Sequence, residues 1–189
     1  MSRAYRIRVR ESVKRVLRAR DGVSTQLELL EILPPEQMAA LLGEELERRG
    51  FAREGKRLVR RRGDVTVSVE PATGTVTVQS EAACNVELTS EQHGFLDRDV
   101  ADDEKRGKEH LREKARQDLQ RQAEKQTEHM QTEVTAKLEA QLGDLRAELD
   151  QAVNRVTAEA LKRKAAALGQ IKEMTEDPQS GSLTIVLEV

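Results

Sequence analysis

From Asp102 to Leu168 the chain has no proline and an almost continuous helical pattern, with only Gly107 and Gly143 as weak breaks. No other stretch limits the possible folds as much. Its apolar residues, Leu111, Ala115, Leu119, Ala123, Met130, Val134, Leu138, Leu142, Leu145, Leu149, Val153 and Val156, mostly fall three or four apart and so share one side of a helix. Asp102, Asp103 and Glu104 suit the positive end of the helix dipole, and Lys162, Arg163 and Lys164 the negative end. Glu104–Lys108, Glu133–Lys137 and Glu159–Arg163 are supportive i,i+4 pairs. Between Leu111 and Val156 the stripe advances about 3.75 residues per step once Thr127 is counted as a member, more than the ~3.5 of a left-handed heptad coil. A long two-stranded zipper is therefore disfavoured, and a straight or right-handed coiled-coil pairing fits better. All of these positions except the two alanines form the expected helix–helix interface.

The chain closes on "LTIVLEV", which reads as a strand. An unbroken helix before it would span on the order of 100 Å. It would carry two strands, near 170–176 and 182–189 around "DPQSG", far from any sheet built by the first residues. A two-stranded hairpin standing alone is marginal in water. The helix is therefore expected to double back as a helical hairpin, so that the C-terminal strands complete the N-terminal sheet. Gly143-Asp144 offers a helix stop followed by an N-cap, and Thr127–Thr135, with its β-branched threonines, is the other candidate for the bend. The alternative is an unbroken rod that pairs with a second copy.

Near the start, Tyr5, Ile7 and Val9 alternate with Arg6, Arg8 and Arg10, the pattern of a half-buried strand with a cationic outer face. Asp21-Gly22 between two apolar-rich runs signals a two-residue hairpin turn, although Val13, Val16 and Leu17 behind Ser12 also fit a helical turn. Pro34 and Pro35 then open a helix with Met38, Leu41, Leu42 and Leu46 on its apolar side. Gly50 is placed to end it in a left-handed cap, with Phe51 as the contact beyond. "DVTVSVE", "PATG" and "TVTVQSE" make a hairpin. A helix, a glycine and two strands recur at the C-terminus from "AEALKRKAAALGQI", which supports a common sheet. The fold class is therefore α+β, with a small antiparallel sheet of hairpins and a packed helix in residues 1–90. A long helical arm follows in 101–168, and a β-hairpin in 169–189.

Composition narrows the chemistry. Aromatic residues make up 2% of the chain, and no tryptophan is present, so the usual anchors of ligand pockets and base-stacking platforms are nearly missing. His93, His110 and His129 have no ligand-spaced partners, and Cys84 has neither a second cysteine nor an adjacent base. Phosphate loops, dinucleotide-binding glycines and nucleophile elbows are likewise missing from the sequence. A non-enzyme without cofactor, metal or small-molecule substrate is expected. The lone cysteine and the lack of an apolar run of membrane-spanning length point to a reducing, cytoplasmic setting. Charge is divided: residues 1–63 hold 16 Lys and Arg against 9 Asp and Glu, while the remainder holds 16 against 25. Arg6, Arg8 and Arg10, with Arg60, Arg61 and Arg62, are the candidate contacts for phosphates or an acidic partner.

The opening "SRAYRIRVRES", a helix closing in "RRGF", the hairpin "GDVTVSVEPATGTVTVQ" and the ending "ALGQIKEMTEDPQSGSLTIVLEV" resemble the accessory, X-type domain proteins of bacterial FtsH ternary systems. More distantly, they resemble α+β proteins encoded beside AAA+ ATPases. The resemblance implies a non-catalytic component that works with an FtsH-like AAA+ ATPase in a conflict or defence system, and it carries over no catalytic residues. The leading expectation is an adaptor or scaffold that engages a protein partner or a second copy. The alternative is a nucleic-acid-binding protein acting through the N-terminal arginine strand.

Overall fold

The computed structural model describes residues 5–96, 101–176 and 183–188. The elements run β1 (Tyr5–Gln26), α1 (Pro35–Arg48), β2 (Ala52–Glu54), β3 (Arg57–Arg62), β4 (Val65–Glu70), β5 (Thr75–Leu96), α2 (Ala101–Leu168), β6 (Gln170–Glu176) and β7 (Leu183–Glu188). The fold is α+β, as expected. A five-stranded antiparallel sheet has the order β1-β5-β4-β3-β2, and β6-β7 form a second sheet. The chain divides into two compact units, one of residues 1–20 and 81–134, the other of residues 21–80 and 135–189.

In the unit of residues 21–80 and 135–189, the sequence signals for α1 are met in detail. Pro35 sits in its first turn, and Gly50 lies at φ 85° beyond the last. The Phe51 N–H donates to the Leu46 carbonyl at 3.1 Å and the Gly50 N–H to that of Glu47 at 3.0 Å, the two hydrogen bonds of a Schellman ending. β4 and β5 pair through Val67 opposite Val78 and Val69 opposite Val76. Leu42, Leu46, Leu58 and Val69 are fully buried between α1 and these strands. Leu138, Leu145, Leu149, Val156 and Ala160 of α2 complete the same cluster.

Three expectations are corrected here. First, α2 does not double back: it is helical through Gly143 and through Thr127–Thr135. Thr127 and Thr132 donate their hydroxyls to the carbonyls of Ala123 and Glu128, at 2.8 and 3.0 Å, so both side chains are satisfied inside an unbroken helix. Second, β6 and β7 do not complete the N-terminal sheet. Among the described residues they pair only with each other, from Gln170 opposite Glu188 to Glu176 opposite Leu183, with an irregularity at Ile171/Glu173. Without a bend in α2, nothing returns them to β1–β5. The "DPQSG" turn lies outside the described residues.

Third, Asp21-Gly22 makes no turn, and β1 runs straight through it. The Asp21 carboxylate accepts from Thr135 Oγ1 at 2.6 Å and from the Gly22 N–H at 2.8 Å. These bonds, the threonine first, hold its pKa below the ordinary carboxylate value. Gly22 is needed for closeness: a Cβ there would lie 2.9 Å from the Val78 carbonyl oxygen of the neighbouring strand.

In the unit of residues 1–20 and 81–134, β1 and β5 form a two-stranded ribbon. Its inner rows include Ile7, Leu17 and Ala19 on β1 and Leu88 and Ser90 on β5, all buried. Leu17 and Leu88 cluster with Leu119 and Ala123 of α2, flanked by Val13, Cys84, Val86 and Met130. Gly94 allows Leu111 to approach, since a Cβ there would be 3.1 Å from Leu111 Cδ1.

Candidate interaction surface

The expected helix–helix stripe is used within the chain. Leu111, Leu119, Val134, Leu138, Leu145, Leu149 and Val156 are buried, and Met130, Leu142 and Val153 are half-buried. The sequence shows an apolar stripe of helical period but not its counterpart; here strands of the same unit provide it, Leu17 and Leu88 for Leu119 and the valines of β4 and β5 for Leu149.

The two arginine groups have different fates. Arg60 forms a fork-to-fork pair with Glu148 at 2.6 and 2.7 Å, donates to the Arg49 carbonyl at 3.1 Å and stacks over Phe51, 4.3 Å from the ring centre. Arg61 pairs with Glu54 at 2.7 Å. Arg62 is exposed and adds to the positive field on Glu148, whose carboxyl is held below its ordinary value mainly by the Arg60 hydrogen bonds, against the opposing effect of burial. Arg60 is thus committed to holding α2 on β3 within its unit. It is a structural tie, and nothing near it in the chain points to Glu148 as its partner, because 88 residues separate them.

Arg6, Arg8 and Arg10 are exposed on the open face of the β1–β5 ribbon, opposite the face that α2 covers. Strand alternation puts Lys14, Val16, Arg18 and Arg20 in the same row of β1, and Glu81, Asn85, Glu87, Thr89, Glu91, His93 and Phe95 in the facing row of β5. Arg8 meets Glu91 at 2.5 Å and Lys14 meets Glu87 at 3.7 Å, so part of the cationic row is neutralised. Val16 and Phe95 are 59% and 75% exposed on this face, which makes it partly apolar as well as charged.

The histidines do not assemble a site. His93 lies 3.0 Å from Glu91, His129 lies 3.3 Å from Glu133, and His110 is an exposed helix residue. Cys84 packs with its sulfur 3.3 Å from that of Met130, under α2. Among the described residues no group of three His, Cys, Asp or Glu side chains could hold a metal ion, and no helix is long and apolar enough to cross a membrane.

The family model of FtsH ternary system domain X5 matches residues 1–189, the whole chain. The chain belongs to that family. No curated protein and no solved structure matches it. An FtsH ternary system domain is a part of a multi-component system, so protein partners belong to its setting. The open ribbon face and the exposed edges of β1 and β5 are where this X5 domain presents polar, charged and apolar groups together.

Proposed function

We propose that this X5 domain is a non-catalytic adaptor of an FtsH ternary system, acting in the cytoplasm on a protein partner, an FtsH-like AAA+ ATPase of a bacterial conflict or defence system. The observation that carries the reading is the family match along the whole chain. The two-layered build supports it: one face of the ribbon is covered by α2, and the other is left to solvent with a cationic row and an exposed Phe95. Mixing the purified chain with the ATPase of its own system tests the reading. A stable complex and a changed rate of ATP hydrolysis are expected; no complex at micromolar concentration together with an unchanged rate would sink it.

A second reading, nucleic-acid binding, draws on the exposure of Arg6, Arg8 and Arg10 in one row. It is weakened by the three glutamates facing that row and by the commitment of Arg60 and Arg61 to internal ion pairs.

A further inference from the structure

The ribbon of β1 and β5 has two edges. β4 pairs with β5 only from Thr75 to Ser80, and β5 continues as a strand to Leu96. From Glu81 onward β5 therefore has β1 on one side and no strand on the other among the described residues. The stretch from Glu81 to Phe95 runs about 50 Å, and alternate residues along it, Thr89 among them, present backbone N–H and C=O groups to that edge. Such an edge recruits another strand unless something guards it. Only a glutamine from α2 reaches it among the described residues: Gln122 Nε2 lies 3.5 Å from the Thr89 carbonyl oxygen.

The edge of β1 is guarded by charge. Self-pairing of β1 centred on its middle would set Arg6 opposite Arg20 and Arg8 opposite Arg18, and like charges directly opposite are destabilising. β5 is different. Its outward row reads Glu81, Ala83, Asn85, Glu87, Thr89, Glu91, His93, Phe95. With Leu88 facing Leu88 of a second copy, Glu81 stands opposite Phe95, Ala83 opposite His93, Asn85 opposite Glu91 and Glu87 opposite Thr89. No carboxylate faces another, and the whole open stretch is used. Shifting one copy by two residues in either direction sets Glu87 against Glu91 or against Glu87. A head-to-tail arrangement of β1 on β5 would match opposite charges, but it leaves a free edge at each end of every assembly short of a closed ring, whereas the two-fold pairing uses both β5 edges in one step.

We propose that the open edge of β5 pairs antiparallel with the same edge of a second copy about a two-fold axis at Leu88. Two ribbons then form a four-stranded sheet, β1-β5-β5-β1. Their centres are about 9.6 Å apart, which matches the ~8–10 Å spacing of helices lying side by side, so the two α2 layers are not forced apart. Phe95 and Val86 lose exposure. The pairing is independent of the adaptor reading and needs no other component.

Sedimentation of the full chain across a concentration series tests the pairing, with a reversible dimer expected. Asn85→Lys with Thr89→Lys sets ammonium groups opposite Glu91 and Glu87 and should tighten the dimer on the order of tenfold. Asn85→Glu with Thr89→Glu should weaken it by a similar factor, although inside one chain these glutamates lie on the ribbon face that carries Lys14 and Arg10, which suits the monomer. Register is read from Gln92→Cys: under mild oxidation its thiol meets Cys84 of the other copy, at a Cα separation of about 4.5–5.5 Å, and gives a covalent dimer. Within one strand the two positions are too far apart to join. A monomer at every concentration, an open series of larger species, or a dimer with no 84–92 link and no response to the charge changes would each overturn the proposal.

Discussion

Arg60 and Glu148 share two hydrogen bonds, at 2.6 and 2.7 Å, with only 10% and 24% of their side chains exposed. The guanidinium is also anchored to the Arg49 carbonyl and covers the Phe51 ring. Removing the carboxylate leaves a buried cation without its partner. Glu148→Gln should therefore cost about 2 kcal/mol at neutral pH, measured by denaturant unfolding.

The same pair makes stability depend on pH. The folded-state pKa of Glu148 lies below its ordinary value of 4.5, so in the window between the two the unfolded chain binds more protons. Its contribution is complete above about 4.5 and is lost as pH falls through the lowered folded value. The gap between wild type and Glu148→Gln should stay constant from neutral pH to about 5 and shrink in more acid solution. A gap that widens on acidification would refute the assignment.

Gly143 occupies an exposed position inside α2, and a Cβ there would meet nothing within 4 Å. Gly143→Ala should raise stability by about 0.5–1 kcal/mol, because the glycine has only its backbone entropy to lose. Gly50→Ala should do the reverse by a similar amount, since φ 85° is strained for any residue with a Cβ. A loss of stability from Gly143→Ala would mean that the helix needs a break there.

The two hydrophobic clusters differ in depth. Leu42 is 0% exposed in the larger one, whereas Leu17, Leu88, Leu119 and Ala123 form a thin layer under α2. Leu42→Ala should cost about 3–5 kcal/mol and Leu119→Ala about 2–3 kcal/mol. Amide exchange should be faster in residues 5–20 than in β4. Equal protection of the two regions would contradict this ranking.

Arg6→Glu, Arg8→Glu and Arg10→Glu together separate the two functional readings. An adaptor should show no salt-dependent mobility shift with DNA or RNA, before or after the change. Binding that weakens steeply with salt, and vanishes in the triple variant, would favour the nucleic-acid reading instead.

What the sequence reveals tracks the range of the interactions. The Pro35 start and Gly50 end of α1, the Val67–Val78 hairpin and the helical character of 101–168, though not its continuity, were legible because each rests on neighbours a few residues away. The Asp21-Gly22 pair misled for the same reason: locally it is a turn signal, yet its carboxylate is held by Thr135, 114 residues on, and its glycine admits the Val78 carbonyl. The arginines of β3 looked like a surface patch because nothing near them in the chain shows Glu148.

By itself, then, the sequence determined α1, the hairpin of β4 with the start of β5, the helical character of 101–168 and the closing strands, and that α2 must bury an apolar stripe. Only the tertiary structure decided what covers that stripe, which arginines are internal ties and which are exposed, and that β5 outruns its β4 partner to leave a bare edge. Periodicity and capping act within a turn or a hairpin and are written in adjacent residues. Pairing across the fold depends on which surfaces meet, and no single stretch of chain records that.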